Sequence, residues 1–374
     1  MQSYDCIVIG TGGVGSAALY YLARRGIRVI GLDRFLPGHD RGSSHGDTRI
    51  IRMAYFEHSD YVPLLRRAYE LWNQLELSSG QPLYREVGLL QIGPPQGEVV
   101  PGVLRSAREH NLMVEQLTPH EVSRRFPGFN VPEAFSGVFE QKAGYLAVET
   151  CVQVYAAEAQ KHGAELRSDE TVLSWQVEGN EVSVRTNSET YQAARLVITP
   201  GAWAPSLLAS LGIRFEIRRK SLFWYDASPN YQAAHGCPTY LYETPAGIFY
   251  GFPQIDESGL KVAEHSGGQV IHDPLSVDRT INPNDRKQVE DFLSSYLPGV
   301  SRTLRKHVVC MYTMSPDSHF VIDHHPQFPQ VAFVAGLSGH GFKFASVLGE
   351  ILTDLALDGS TTAPIDFLSC KRLR

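Results

Sequence analysis

The sequence predicts an α/β fold in which a Rossmann-like dinucleotide-binding domain is joined to a second domain built on an antiparallel sheet. Three observations predict it. Near the start, a glycine-rich turn lies between a short apolar strand and a helix, and the next strand ends in an acid. Short alternating strands dominate from about 82 to 145 and from about 215 to 320. The 374 residues exceed what one core usually supports, so two domains sharing one ligand are expected.

The elements follow in order. Asp5–Ile9 is a short apolar run, as a strand buried on both faces requires. Ser16–Arg25 places Leu19, Leu22 and Ala23 on one helical stripe, and Gly26 suits a left-handed helix end. Ile27–Leu32 is a second strand, ending at Asp33. Pro37–Thr48 is a loop whose Gly, Ser, His and Arg content is unusual for a connector. Asp60–Leu77 carries Leu64, Leu65, Tyr69, Leu71 and Trp72 as anchors of an amphipathic helix. Val138-Phe139, Ile217–Tyr225, Ile248–Phe252, Lys261–Glu264 and Val308–Thr313 alternate as strands of the second domain. Thr150–Gly163 reads as a helix, and Thr171–Val177 with Val182–Thr186 as a hairpin. Ala194–Thr199 and Val331–Ala335 are apolar strands, and Phe342–Leu357 is a closing helix. The nucleotide-binding domain is therefore expected to be discontinuous (1–81, 146–214 and 321–374), with 82–145 and 215–320 forming the substrate domain.

Composition excludes several classes. With 43% hydrophobic and 20% charged residues, the chain reads as an ordinary folded protein. A net charge of -6 with interspersed signs is wrong for gripping nucleic acid. No apolar run reaches the roughly 18 residues of a membrane-crossing helix, so no membrane partner is expected. The N-terminal stretch lacks the basic region, apolar core and cleavage site of a secretory signal. Cys6, Cys151, Cys237, Cys310 and Cys370 are odd in number and scattered, without metal-ligand spacing. No metal is expected, and a reducing cytoplasm fits the cysteine usage. Taken alone, each cysteine reads as a small buried hydrophobe.

Three motifs carry chemistry. In Gly10-Thr11-Gly12-Gly13-Val14-Gly15, the first glycine serves the tight turn, Gly12 the approach of a pyrophosphate, and Gly15 close helix–strand packing. The helix start then meets the anion, and Asp33 stands near the spacing of a ribose-hydroxyl acceptor. These residues leave both FAD and NAD open. The second motif is Gly42–Arg52. Here Arg49 and Arg52, three apart, are expected to share a helix face and to offer planar forks to a carboxylate or an anionic ring. The third is Gly336-Leu337-Ser338-Gly339-His340-Gly341-Phe342-Lys343-Phe344, which follows a strand and opens a helix. Its glycines let backbone press on a flat ligand. Lys343, expected in the first helical turn, opposes the helix dipole, which a bound carboxylate would explain.

Together Gly42–Arg52, Cys310-Met311-Tyr312-Thr313 and Gly339–Phe344 resemble the monomeric sarcosine oxidase and N-methyl-L-tryptophan oxidase family, over nearly the whole chain in order and length. Gly336–Ile351 and Gly267–His272 look nearer to the N-methyl-L-tryptophan oxidases, and Cys310–Thr313 nearer to the sarcosine oxidases. Ser44 departs from both, which usually carry a second histidine there; pipecolate and peroxisomal sarcosine oxidases resemble the chain at that point.

The resemblance implies the glutathione-reductase-type FAD fold, similar to that of D-amino acid oxidase, with FAD as an 8α-S-cysteinyl adduct of Cys310. It implies cofactor contacts from Gly10, Gly12, Val14, Gly15, Asp33, Arg34, Ser43, Ser44, His45, Arg49, Val172, Gly201, Gly339, Gly341, Phe342 and Lys343. Arg49 and His45 match groups packed near the ring, and Gly201-Ala202-Trp203 matches a family turn. Arg52 and Lys343 match the pair that holds the substrate carboxylate by charge-assisted hydrogen bonds. Tyr250 and His265 match residues flanking the amine, with Tyr312 also in the substrate site. Lys261 matches the lysine that promotes reaction with oxygen. Alone, His265 reads as a satisfied sheet histidine and Lys261 as a solvent-facing residue. Catalytic roles are thereby implied for Lys261, His265 and Arg49. The implied activity is oxidation of an N-alkyl amino acid, N-methyl-L-tryptophan or sarcosine, by O2. The imine product hydrolyses to a primary amino acid and formaldehyde, with release of H2O2, and the implied enzyme is a monomer. The alternative is a flavin-dependent dehydrogenase, acting for example on proline or pipecolate, that passes electrons to a carrier or quinone. Met53 and Phe56 are candidates to line the side-chain pocket.

Overall fold

The computed structural model describes residues 3–374; the first two residues of the expected 1–81 segment lie outside them. The buried strand Ser3–Ile9 is flanked on one side by Val29–Leu32, which pairs with Glu165–Arg167, and on the other by Thr190–Ile198, all parallel. The far edge of Thr190–Ile198 is shared. Its first half pairs with Glu181–Thr186 of the expected hairpin, and its last three residues pair in parallel with Phe328–Ala335. Every side chain of Cys6–Ile9 and Val29–Leu32 is buried, which explains why these strands read as continuous apolar runs.

The helix Gly13–Arg24 covers this sheet and packs against Val148–Lys161 and Ala345–Asp358. The crossing with Ala345–Asp358 is close, since a Cβ on Gly349 would stand 2.6 Å from Ala17 Cβ. Gly26 has φ +77° beyond the helix end, as its position in the sequence predicts.

A second sheet runs in the order Gln269–Ile271, Glu216–Ala227, Leu260–Glu264, Gly247–Phe252, Thr239–Thr244, Leu89–Gly93, Ser136–Glu140, Glu115–Leu117, with Val300–Met314 also laid along Glu216–Ala227. It is not purely antiparallel, because Thr239–Thr244 and Leu89–Gly93 run parallel. A small sheet of Thr48–Ile51, Gly144–Ala147 and Tyr84–Glu86 accompanies the two.

Several expectations need correction. The segments read as strand-dominated also contain the helices Val99–Glu109, Pro119–Arg125 and Pro283–Tyr296. The last two starts carry readable signals: a capping box at Thr118 and Glu121, and Asn282 capping ahead of Pro283. Arg49 and Arg52 share no helix face. Thr48, Ile50 and Ile51 favour extended backbone, and Thr48–Ile51 pairs with Gly144–Ala147, leaving Arg52 just beyond the strand. The closing helix starts at Ala345; Phe342–Phe344 is a 3-10 turn, so Lys343 precedes the helix rather than opening it. Among the described residues, no helix is long and apolar enough to cross a membrane.

Candidate active site

A long cavity runs from the glycine-rich turn to the second sheet. At its first end Gly10, Gly12, Val14, Gly15, Asp33, Arg34, Val172 and Gly201 all line it. Two glycines there are obligatory. Gly10 has φ +82° and any Cβ on it would strike the Thr199 carbonyl; a Cβ on Gly15 would strike the Gly10 carbonyl. Asp33 Oδ2 accepts from Thr11 N at 2.6 Å, and Oδ1 accepts from Phe35 N at 3.0 Å, so the carboxylate is held in place at the cavity wall. The Arg34 guanidinium lies 5.5 Å from the Trp203 ring centre. Ser44 Oγ accepts from Gly13 N at 3.2 Å, tying the second motif to the first.

The other end is lined by Arg52, Phe56, Glu57, Leu241, Tyr250, His265, Tyr312, Gly339, His340 and Lys343. Arg52 and Lys343 do meet: Arg52 Cζ stands 4.2 Å and Lys343 Nζ 5.2 Å from the centre of the Tyr55 ring. Glu57 is the group the sequence reading missed. Its carboxylate takes a bidentate bond from Arg52, at 2.6 and 2.8 Å. Burial works to raise the Glu57 carboxyl, but Arg52, His340 and Lys343 overcome it and hold it at about 2. Burial and Arg52 bring the Lys343 ammonium down to about 7. Lys343 Nζ donates to His340 O at 2.6 Å and to Tyr55 OH at 3.4 Å. Tyr55 OH in turn lies 2.6 Å from His340 Nδ1. His265 Nδ1 is 3.4 Å from Tyr312 OH, and its ring is edge-on to Tyr250 at 6.1 Å. Burial, followed by the nearby Lys220 ammonium, brings His265 down to about 3, so its imidazole is neutral.

Three expected residues, Lys261, Cys310 and His45, do not line this cavity; Cys310 contacts Arg49, which does, and Lys261 contacts the neighbouring Thr48. Arg49 bridges the layers, donating to Ser43 O at 3.0 Å and to Cys310 Sγ at 3.2 Å. Burial would raise the Cys310 thiol, but Arg49 and His45 outweigh it and bring it down to about 6. His45 Nε2 is buried without a hydrogen-bond partner among the described residues. Lys261 Nζ donates to Gly46 O, Thr48 O and Thr48 Oγ1 at 2.5, 2.9 and 3.1 Å, and faces the Phe252 and Trp224 rings at 4.6 and 5.2 Å. Burial and Arg49 push this amine well below its ordinary range. Two carbonyls, a hydroxyl and two ring faces are partners that an ammonium uses. Phe56 lines the pocket, whereas Met53 does not.

The chain matches the family described as FAD dependent oxidoreductase over residues 5–355. It is 43% identical to a monomeric sarcosine oxidase of Streptomyces avermitilis, covering 99% of this chain and 98% of the relative. It is 38% identical to an N-methyl-L-tryptophan oxidase of Yersinia pestis, over the full length of both. Among solved structures it is similar to NikD, an unusual amino acid oxidase essential for nikkomycin biosynthesis, with a TM-score of 0.87, 25% identity and coverage of 99% and 98%. The fold also matches L-proline dehydrogenase from P. horikoshii, with a TM-score of 0.85, 22% identity and coverage of 99% and 98%.

Proposed function

This chain belongs to the FAD-dependent oxidoreductase family, and on that premise we propose that it oxidises an N-methyl amino acid, consuming oxygen and releasing hydrogen peroxide. The observation that carries the reading is the convergence of Arg52 and Lys343 on one ring beside a neutral His265, in the same cavity as the glycine turn. Sarcosine oxidases and an N-methyl-L-tryptophan oxidase among its full-length relatives support the substrate class.

The residues present fit FAD. The obligatory Gly10 and Gly15 shape a turn open to a pyrophosphate at a helix start, Asp33 offers a carboxylate to a ribose, and the cavity continues without a break to Gly339 and Tyr312. We assign Cys310 as the residue that carries the FAD through a thioether: it directly precedes Met311 and Tyr312, which line the cavity, its lowered thiol favours the thiolate such a bond needs, and its Sγ must move past Arg49 to reach the cavity. When bound, FAD accepts the two electrons that leave the substrate and passes them on.

The chain supplies orientation and charge. Arg52 and Lys343 hold the substrate carboxylate, for which Glu57 must give up Arg52. A protonated substrate nitrogen has no lone pair with which to form an imine, so the amine must be held neutral. The neutral His265, with Tyr250 and Tyr312, favours that form by accepting and donating hydrogen bonds. Lys261 supplies a fixed positive charge for the oxygen half of the cycle. The imine leaves and hydrolyses in water to formaldehyde and the primary amino acid. Within this reading the chain is a cytoplasmic monomer, in keeping with five free cysteines.

The test is a peroxide and oxygen-uptake assay with sarcosine, N-methyl-L-tryptophan, L-pipecolate and L-proline. Turnover of an N-methyl substrate with one peroxide per oxygen consumed is expected. Turnover with an artificial electron carrier but no oxygen uptake refutes the oxidase reading.

A further inference from the structure

Lys220 lies on Glu216–Ala227 directly opposite Cys310 of Val300–Met314, so both side chains leave the sheet on the same face. It is 2% exposed, yet no step of the reaction described above uses it. Its ammonium donates to Glu264 Oε2 at 2.6 Å and to the Ser266 carbonyl at 2.5 Å, and stands 5.4 Å from the centre of the Tyr312 ring. Ser266 Oγ donates to Glu264 Oε1 at 2.5 Å and accepts from Ile248 N at 2.9 Å. Glu264 and Ser266 are the two chain neighbours of His265, whose own N–H donates to Ile248 O at 2.6 Å. The backbone is therefore tied down on both sides of the imidazole. The surroundings are closed: a Cβ on Gly268 would stand 3.0 Å from Lys220 Cδ, and one on Gly247 would stand 2.5 Å from Ser266 Oγ.

A buried ion pair is a poor device for stability, because apolar residues of similar volume serve as well or better. Its placement needs another reason. We propose that Lys220 is a positioning residue for amine oxidation: through Glu264 and Ser266 it fixes the His265 ring against Tyr312 and keeps that ring free of a proton. This rests on the reading of His265 as the group that faces the substrate amine.

The charges around His265 oppose a proton on its ring. Lys220 faces it from Glu216–Ala227, Tyr312 from Val300–Met314, Tyr250 from Gly247–Phe252, Arg52 and Glu57 from the segment after Thr48–Ile51, and His340 from the loop before Phe342–Phe344. Glu264, beside it in the chain, turns its carboxylate to Lys220. Lys220, His340 and Arg52 oppose a proton on the ring, and Glu57 favours one but is paired with Arg52. Lys220 is the largest of these charges after burial itself.

The test compares Lys220→Gln and Lys220→Arg holoenzymes with wild type. Lys220→Gln removes the cation and leaves the Glu264 carboxylate unpaired beside the ring, so the His265 imidazole rises above its wild-type value of about 3, while burial, the larger cause, still holds it below its ordinary value. The ratio of variant to wild-type kcat/KM, in which the ionisation of the substrate cancels, is expected to be level near pH 8 and to fall at least about twofold by about pH 5, as the raised imidazole of the variant takes up a proton. Lys220→Arg, which keeps the charge, is expected to hold that ratio level. A uniform loss at every pH in Lys220→Gln means a merely structural role and overturns the proposal. A second readout needs no substrate. In 13C-histidine-labelled holoenzyme, the resonance missing from His265→Asn should titrate at a higher pH in Lys220→Gln than in wild type, where it stays unprotonated above about pH 5. If it titrates alike in both, the proposal fails; if wild type oxidises no N-methyl amino acid, the functional reading fails while this resonance still decides the role of Lys220. Should Lys220→Gln not fold, Lys220→Met with Glu264→Leu leaves no unpaired charge and predicts a smaller rise of the same sign, because the opposing cation is gone without a carboxylate in its place.

Discussion

Replacing Lys343 by methionine should convert a pH-dependent carboxylate site into a pH-independent one. Burial and Arg52 bring the Lys343 ammonium from 10.5 to about 7, with Glu57 opposing. A carboxylate that docks on the protonated lysine must then bring a proton with it once the pH rises above 7. Each further pH unit costs up to tenfold in affinity, about 1.4 kcal/mol. From pH 7 to pH 9 the limit is therefore about 50-fold, and Arg52, charged throughout, reduces it to about 10- to 50-fold. Lys343→Met loses a charge-assisted hydrogen bond worth about 1.5–3 kcal/mol, so its affinity at pH 6 falls about 10- to 100-fold. Above pH 7 its affinity no longer declines. The assay titrates oxidised holoenzyme with acetate or benzoate, which lack an amine and stay ionised over the whole range, and follows the flavin absorbance. Calorimetry in two buffers of different ionisation enthalpy reads the accompanying proton, close to one per ligand at pH 8.5 in wild type and none in the variant. The reasoning is refuted if wild-type affinity is level from pH 6 to pH 9, or if Lys343→Met keeps the same slope.

Other expected outcomes follow from neighbouring contacts. Glu57→Gln removes the internal competitor for Arg52, so benzoate should bind about tenfold more tightly at pH 7, roughly the strength of one net hydrogen bond to a charged group; unchanged or weaker binding would show that Glu57 does not compete for the dock. The same carboxyl, held at about 2 against an ordinary 4.5, contributes about 3 kcal/mol of stability that is complete above 4.5 and lost as the pH falls to 2. Denaturant unfolding of wild type and Glu57→Gln should therefore differ most near neutrality and converge in acid. Cys310→Ala should release its flavin on acid precipitation while wild type retains it; release from both removes Cys310 as the tether. Lys261→Met should slow reoxidation by oxygen about 100-fold, the size expected for one fixed charge beside developing negative charge, while anaerobic reduction by substrate stays within about threefold. Equal slowing of both halves in stopped-flow would place Lys261 elsewhere in the cycle.

What could be read from the sequence was whatever local chemistry enforces within a few residues. The strand Ser3–Ile9 and the turn Gly10–Gly15 were legible because two-sided burial demands an apolar run and a positive φ demands glycine. The helices Val99–Glu109 and Pro283–Tyr296 were obscured by the strands around them, although Asn282 before Pro283 announces a helix start. Arg49 and Arg52 were placed on a helix by their spacing alone. The β-branched Thr48, Ile50 and Ile51 between and before them carry the stronger signal, and the partner strand Gly144–Ala147, about a hundred residues away, decides it.

The site was legible in its cations and not in what balances them. Arg52 and Lys343 stand in recognisable motifs, but the structure shows that each charge is managed by a group with no motif of its own: Glu57 for Arg52, Tyr55 and His340 for Lys343, and Glu264 for Lys220. Such partners cannot be found by spacing, because a buried charge requires only that some opposite charge or hydrogen-bond acceptor be near in space, whichever strand supplies it. Yet they set the working state of the site. Without Glu57 the two cations beside Tyr55 would lack an opposite charge, so under the proposed function an internal carboxylate that a substrate can replace keeps the free enzyme folded with its dock already formed. That arrangement exchanges one carboxylate for another on binding, and so favours ligands whose carboxylate also reaches Lys343 over those that satisfy Arg52 alone.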